Sequence, residues 1–418
     1  MRGMRDVLPD EARRWRTVES ALESVLTGYA YEEVHLPLLE FTELFSRGVG
    51  EATDIVEKEM YSFADRDGDS ISLRPEGTAG CVRVLEQHGL LFHQTQRVFY
   101  RGPMFRYERP QKGRYRQFFQ IGAEAFGMSG PDVDAELMAL GLACWKRLGI
   151  DSSVRLELNT LGSNDAREDY QQALITYLER YAADLDEDSR RRLSTNPLRI
   201  LDSKVDKTQE ILVEAPGIMD YVDSAGREHF DALCGLLDDL GIRFELNQRL
   251  VRGLDYYNHT VFEWVTDALG AQGAICAGGR YDSLVQRLGG RSTPAAGFAM
   301  GLERVLLLFE QLNLQTRSAV DVYCCVLAVE HQAYVLRLAD RLRGLLPELR
   351  IRVHAGGGKI KNQLKKADQS GASLAVIVGE DEVSRQRVTL KTLNSGEQVT
   401  IDQVTLIEKL RSGGNGCE

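Results

Sequence analysis

Cysteine pairs, long apolar runs and an excess of positive charge are all missing from this chain of 418 residues. Its seven cysteines form no CxxC pair, and the adjacent Cys324 and Cys325 suit neither a disulfide framework nor a zinc site. Reduced thiols in a cytoplasmic protein are therefore expected. No apolar run reaches spanning length, and the opening MRGMRDVLPDEARRW lacks the apolar core of a secretion signal, so no membrane role is expected. The net charge of -11 argues against indiscriminate binding to nucleic acid, although a local basic surface can coexist with an acidic total. There is no GxxxxGK[ST] phosphate loop, and the spacing of Gly297 and Gly301 is not a dinucleotide fingerprint. Phosphate binding, if there is any, must rest on arginines. What remains is a composition 43% hydrophobic and 27% charged, that of a globular protein long enough for two or three domains.

Along the chain, a helix is expected over residues 9–26, with Asp10 placed to cap it and Trp15, Val18, Leu22, Val25 and Leu26 on one side. A short strand over 31–41 is broken at Pro37, and a hairpin is expected over 60–73. Arg74-Pro75-Glu76-Gly77-Thr78 opens the next helix, where Glu76 and Thr78 either complement the helix dipole or face a ligand. A helix over 132–148 and a strand over 154–158 follow. From 164 to 240 charged helical sequence dominates and reads as an insertion. Strands are then expected over 244–250, 260–265 and 274–276, with a helix over 303–311. After a polar linker over 313–319, strands and helices alternate as in a small α/β domain, ending in a Gly-rich tail over 412–418 that is expected to be disordered.

Residues 97–127 hold the densest cluster of chemistry: two aromatic-rich arms around the charged stretch Arg109-Pro110-Gln111-Lys112-Gly113-Arg114. On the returning arm, alternation puts Phe119, Ile121, Ala123 and Ala125 on one face and Arg116, Phe118, Gln120, Gly122 and Glu124 on the other. On the outgoing arm Met104, Arg106 and Glu108 share a face. Such a polar face is either a cavity lining or an ordinary solvated surface. Arg252, Asp255, Tyr256 and Tyr257 present the same ambiguity, since the charged pair can satisfy itself and the tyrosines can be packed aromatics.

In combination these stretches resemble the class II aminoacyl-tRNA synthetases, and within them the histidyl-tRNA synthetase family, over nearly the whole chain. Motif 2 is read at Phe105-Arg106-Tyr107-Glu108 and from Arg114 to Phe118, motif 3 at Gly301-Leu302-Glu303-Arg304, and motif 1 around Pro37. The two histidine-specific signatures are read at Arg252-Gly253-Leu254-Asp255-Tyr256-Tyr257 and Ala277-Gly278-Gly279-Arg280-Tyr281-Asp282. Each motif alone is weak, but five in order are specific. The resemblance implies an α+β fold: a class II catalytic domain on an antiparallel sheet flanked by helices (1–163 and 244–314), a helical insertion (164–243) and a C-terminal α/β anticodon-binding domain (320–418).

It also implies roles. Arg106 would hold the α-phosphate of ATP, Arg114 and Arg304 the γ-phosphate end, and Phe118 the adenine, with Glu108 beside the nucleotide. Paired donors on planar guanidinium groups suit that work. Glu124 and Tyr257 would read the imidazole of L-histidine, Glu76, Thr78 and Gln120 its amino group, and Tyr256 and Tyr281 would wall the pocket. Arg252 would take the place a metal ion fills in many relatives and, with Arg106, carry catalysis; no protein-held metal is expected, although Mg²⁺ would accompany ATP. Arg109, Gln111 and Lys112 would reach tRNA(His), and motif 1 implies a homodimer. A non-catalytic histidine-sensing paralogue, acting as a regulatory subunit, is the alternative; it is expected to lose signature arginines that are all present here. An enzyme of another amino-acid specificity meets the double-tyrosine signature as its main obstacle.

Overall fold

The computed structural model describes every residue except Ala52, Gln315 and residues 415–418. Two compact units result, one running essentially to Leu314 and one holding the C-terminal part from residue 315 onward.

The first unit is built on an eight-stranded, mostly antiparallel sheet. In chain order its opening elements are α1 (Pro9–Gly28), β1 (Glu32–Glu33), β2 (Leu39–Phe41), α2 (Thr42–Val49), β3 (Tyr61–Ala64), β4 (Ser70–Leu73) and α3 (Thr78–Gln87). Then come β5 (Gln96–Phe105), β6 (Gln117–Phe126), α4 (Pro131–Leu148) and β7 (Arg155–Thr160). The helices α5 (Asn164–Glu179), α6 (Glu187–Thr195), α7 (Asp206–Leu212) and α8 (Ser224–Asp239) precede β8 (Phe244–Leu246), β9 (Asn258–Val265), β10 (Ala274–Arg280), α9 (Leu284–Arg287), β11 (Ala295–Gly301) and α10 (Leu302–Gln311). The strand order is β1-β5-β6-β11-β10-β9-β7-β8, with β2, β4 and β3 in a small separate sheet.

Local chemistry explains the main boundaries. Pro9 and Pro131 each open a helix at the position where a missing N–H costs nothing, and Gly149 ends α4 in the left-handed conformation. Asp10 does not cap α1: the cap position is Leu8, and the carboxylate sits in the first turn, where it meets the helix dipole instead. One face of the sheet is covered by α1, α4, α8 and α10, whose Trp15, Leu22, Trp145, Leu233, Leu237 and Leu308 are buried with Ile121, Phe298 and Met300 from the strands. Each such side chain contributes roughly 1.5–3 kcal/mol of burial. Thus α8, inside the stretch 164–243, belongs to the sheet's own core.

In the C-terminal unit β12 (Val322–Val326), α11 (Gln332–Leu345), β13 (Ile351–Val353), α12 (Ile360–Gln369) and β14 (Leu374–Val378) give the expected alternation, with β12 parallel to both β13 and β14. The chain then adds α13 (Glu380–Ser384), an antiparallel pair, β15 (Arg387–Thr392) and β16 (Gln398–Asp402), and α14 (Gln403–Gly414). Residues 412–414, expected in a disordered tail, close this last helix; 415–418 lie outside the described residues.

Candidate active site

The face of the sheet opposite α1 and α4 carries a cavity of about 330 Å³. Its floor is a consequence of register. Tyr100 on β5 lies opposite Gly122 on β6, Gly122 opposite Ala299, Ala299 opposite Ala277, and Ala277 opposite Glu263 on β9. A second row runs Glu124, Gly297, Gly279. The cavity faces of β10 and β11 therefore offer almost no side chains, while Phe298 and Met300, one residue out of phase, fill the core beneath. Bare strands flanked by long polar side chains make a bed for a ligand. Gly297 is required for a further reason: a Cβ there would stand 1.7 Å from a carboxylate oxygen of Glu124.

Around this floor the structure brings together Glu76, Thr78, Arg106, Glu108, Arg114, Phe118, Gln120, Glu124, Arg252, Tyr256, Tyr257 and Arg304. Glu124 is almost fully buried; Thr78 Oγ1 donates to its Oε1 at 2.7 Å and the Tyr281 hydroxyl donates to Oε2. Burial pushes its carboxyl up to about 8 against the pull of those donors. Tyr281 thus stands behind Glu124 and does not itself line the cavity. Thr78 is likewise committed to Glu124. The buried Glu76 accepts the backbone N–H groups of Thr78 and Ala79 at 2.6 and 2.9 Å, so it caps α3 and also borders the cavity, uniting the two readings that the sequence left open. Gln120 Oε1 is buried with no hydrogen-bond partner among the described residues.

At the other end the cations crowd. Arg106 donates from Nε to the Pro75 carbonyl at 2.8 Å and lies 5.2 Å from the Phe118 ring centre. Arg114 pairs with Glu108, and Arg304 donates to the Ala274 carbonyl at 2.6 Å. The Arg304 guanidinium is brought down to about 10 by burial and by the repulsion of Arg114, Arg106 and Arg252. Such mutually repelling cations, three of them half-buried and Arg114 more open, are stabilised by an anion of high charge.

Other residues lie elsewhere. Arg109, Gln111 and Lys112 are exposed at the hairpin tip, outside the cavity. Arg116, expected on the cavity face, precedes β6; it stacks 3.6 Å from the Tyr107 ring centre and donates to the Glu108 carbonyl, because strand alternation does not extend past the strand's end. Gly278 and Gly279 lie within β10, not in a turn. Among the cavity residues that escaped the sequence reading are Tyr100 and Glu263. Tyr100 was accessible by counting back from Met104 on the outgoing strand. Glu263, which pairs with Arg252, carried the weaker signal of one carboxylate in an apolar strand.

Comparison with known proteins fits this geometry. The histidyl-tRNA synthetase family pattern matches residues 3–305, and an anticodon binding domain matches 321–413. The chain belongs to the histidyl-tRNA synthetase family. It is similar to an apo histidyl-tRNA synthetase from S. aureus, at 33% identity over 98% of both chains with a TM-score of 0.79. The fold is shared by a histidyl-tRNA synthetase from Nostoc sp., at 20% identity over 99% of this chain and 98% of that one (TM-score 0.74). It is also shared by a Bacillus halodurans ATP phosphoribosyltransferase regulatory subunit/histidyl-tRNA synthetase, at 21% identity over 90% and 97% (TM-score 0.64). The enzyme is a histidine–tRNA ligase, which activates L-histidine with ATP to histidyl-adenylate and transfers it to the 3′-terminal adenosine of tRNA(His).

Proposed function

We propose that the cavity divides this reaction between its two ends, histidine at Glu124 and ATP at the arginines. The observation that carries the division is the gathering of Arg106, Arg114, Arg252 and Arg304, close enough that burial and the repulsion of the other three bring the Arg304 guanidinium down, while the Glu124 carboxyl is held apart from them by Thr78 and Tyr281. Glu124 accepts an imidazole N–H, the Tyr257 hydroxyl meets the other ring nitrogen, and Glu76 with Gln120 holds the α-amino group; Tyr256 packs behind Tyr257, with ring centres 4.7 Å apart. Phe118 stacks on adenine, Arg106 binds the α-phosphate, and Arg114, Arg304 and Glu108 organise the pyrophosphate end. The histidine carboxylate then attacks the α-phosphorus and pyrophosphate leaves. Arg252 and Arg106 stabilise the charge that grows on the non-bridging oxygens. In the second step a hydroxyl of the terminal adenosine attacks the adenylate carbonyl and AMP departs.

Mg²⁺ would accompany ATP beside Arg114 and Arg304 and would supply positive charge for the departing pyrophosphate. Among the described residues no group of three or more His, Cys, Asp or Glu side chains is assembled that could hold a metal ion. Arg109, Gln111 and Lys112 are proposed to meet the acceptor end of tRNA. The exposed Arg352, Lys359, Lys361, Lys365 and Lys366 would serve anticodon binding, and the part of 164–243 that precedes α8 would act as an insertion closing on the acceptor stem. Buried free thiols at Cys81, Cys144, Cys276, Cys324 and Cys325 support a cytoplasmic setting. A homodimer is supported by the small sheet, where Phe41 and Phe63 flank Ile71 and are 61% and 49% exposed. Sedimentation should give twice the mass of the 46.8 kDa chain; a monomer at micromolar concentration would refute it.

The direct test of the division is histidine-dependent exchange of label between pyrophosphate and ATP by the purified protein. Exchange with histidine alone among the amino acids is expected. Histidine binding without exchange would instead fit a sensor.

A further inference from the structure

Arg252 is held before any substrate arrives. Its Nη1 pairs with Glu263, both side chains being 17% exposed, and its guanidinium carbon lies 5.8 Å from the centre of the Tyr257 ring. Its Nε is buried and finds no acceptor among the described residues. One edge of the guanidinium is therefore anchored to the protein while a donor remains for something else. Glu263 has its own need for this pairing. In the sheet it lies directly opposite Glu157 on β7, an arrangement that like charges disfavour. Glu157 is covered by Arg155 at 3.3 Å and by the Asn247 amide at 2.7 Å. The cation paired with Glu263 is Arg252.

We infer that Glu263 is a positioning residue of the adenylation step: it fixes the Arg252 guanidinium so that its remaining donors face the substrate carboxylate and α-phosphate. Ala277, the neighbour of Glu263 on β10, projects only a methyl group, which leaves the space between Glu263 and the cavity floor open for the guanidinium. An arginine oriented in advance loses no rotamer freedom at the transition state, so the anchor acts on the rate more than on binding. The inference rests on the proposed role of Arg252.

The test is E263Q, with R252H and the double variant beside it, in histidine-dependent ATP–pyrophosphate exchange and in calorimetric titration with L-histidine. E263Q is expected to lower kcat about 10-fold, the worth of one charge-assisted hydrogen bond, with the histidine Kd within about 2-fold of the wild type. Adding E263Q to R252H is expected to cost no further rate in single-turnover adenylate formation, because the anchor has nothing left to position. An unchanged kcat in E263Q, an equal loss of histidine binding, or a loss that adds in full to that of R252H would each overturn the inference. Should R252H itself keep full exchange, the reading of Arg252 fails first; an inactive R252H beside a fully active E263Q defeats the inference alone.

Discussion

Replacing Arg252 with His is expected to lower histidine-dependent adenylate formation by about 10²- to 10³-fold, the usual effect of losing one preorganised charge at a reacting oxyanion. Arg252 enters the cavity from the loop before β9 and sits near Tyr257. Histidine, bound at the Glu124 end, would keep its imidazole contacts, so the histidine Kd should move by no more than about 3-fold. Imidazole at this position is short, cannot offer paired donors, and is largely neutral near pH 7. Pre-steady-state formation of adenylate set against calorimetric binding of histidine separates the two quantities. Equal losses in both would mean that Arg252 builds the pocket and does not act on the reaction.

The second large effect is expected at Glu124. In E124Q the KM for histidine should rise about 10²-fold, because a charge-assisted hydrogen bond in a buried site is exchanged for a neutral amide. Glutamine also presents an N–H₂ toward the donors Thr78 and Tyr281, which leaves one of them without an acceptor. The raised carboxyl adds a pH signature. In the folded protein Glu124 holds its proton up to about pH 8, whereas in the unfolded chain it loses the proton near the ordinary carboxyl value of 4.5. Between these values the folded state binds more protons, so the contribution to stability is complete below the lower value and is lost as pH rises through the upper one. Without histidine, the wild type should lose thermal stability relative to E124Q between about pH 5 and about pH 8. Histidine binding, which needs the carboxylate as an acceptor, should release a proton over the same range; calorimetry in buffers of different ionisation enthalpy reads it. Equal proton release by wild type and E124Q would assign the effect to another group.

Much of this was legible because it is local. Period-2 alternation placed Phe118, Gln120 and Glu124 on one face of β6, and that face is the cavity. The same rule failed at Arg116, one residue before the strand, where the pleat no longer dictates direction. Helix patterning found α1, α4 and α10, since an apolar stripe repeats within a few residues. It missed β15, β16 and α14, which are amphipathic and half-exposed, so that their pattern carries little contrast.

The role of each side chain was a different matter. The order of motifs along the chain was enough to identify the family, and the arginines and tyrosines that matter were recognisable by type. Sequence could not tell whether Glu76 caps a helix or faces a cavity, that Tyr281 stands behind Glu124, or that Arg252 rests on Glu263. These depend on which strands become neighbours: Glu263 meets Ala277 and Glu157 only through sheet register, and Glu124 meets Gly297 and Tyr281 across gaps of more than a hundred residues. Local propensity reads a few residues at a time. The gathering of arginines in the cavity, and the burial of Glu124 beside Thr78 and Tyr281, depend on side chains brought in from β6, α3, α10 and the loop before β9, which only tertiary packing assembles.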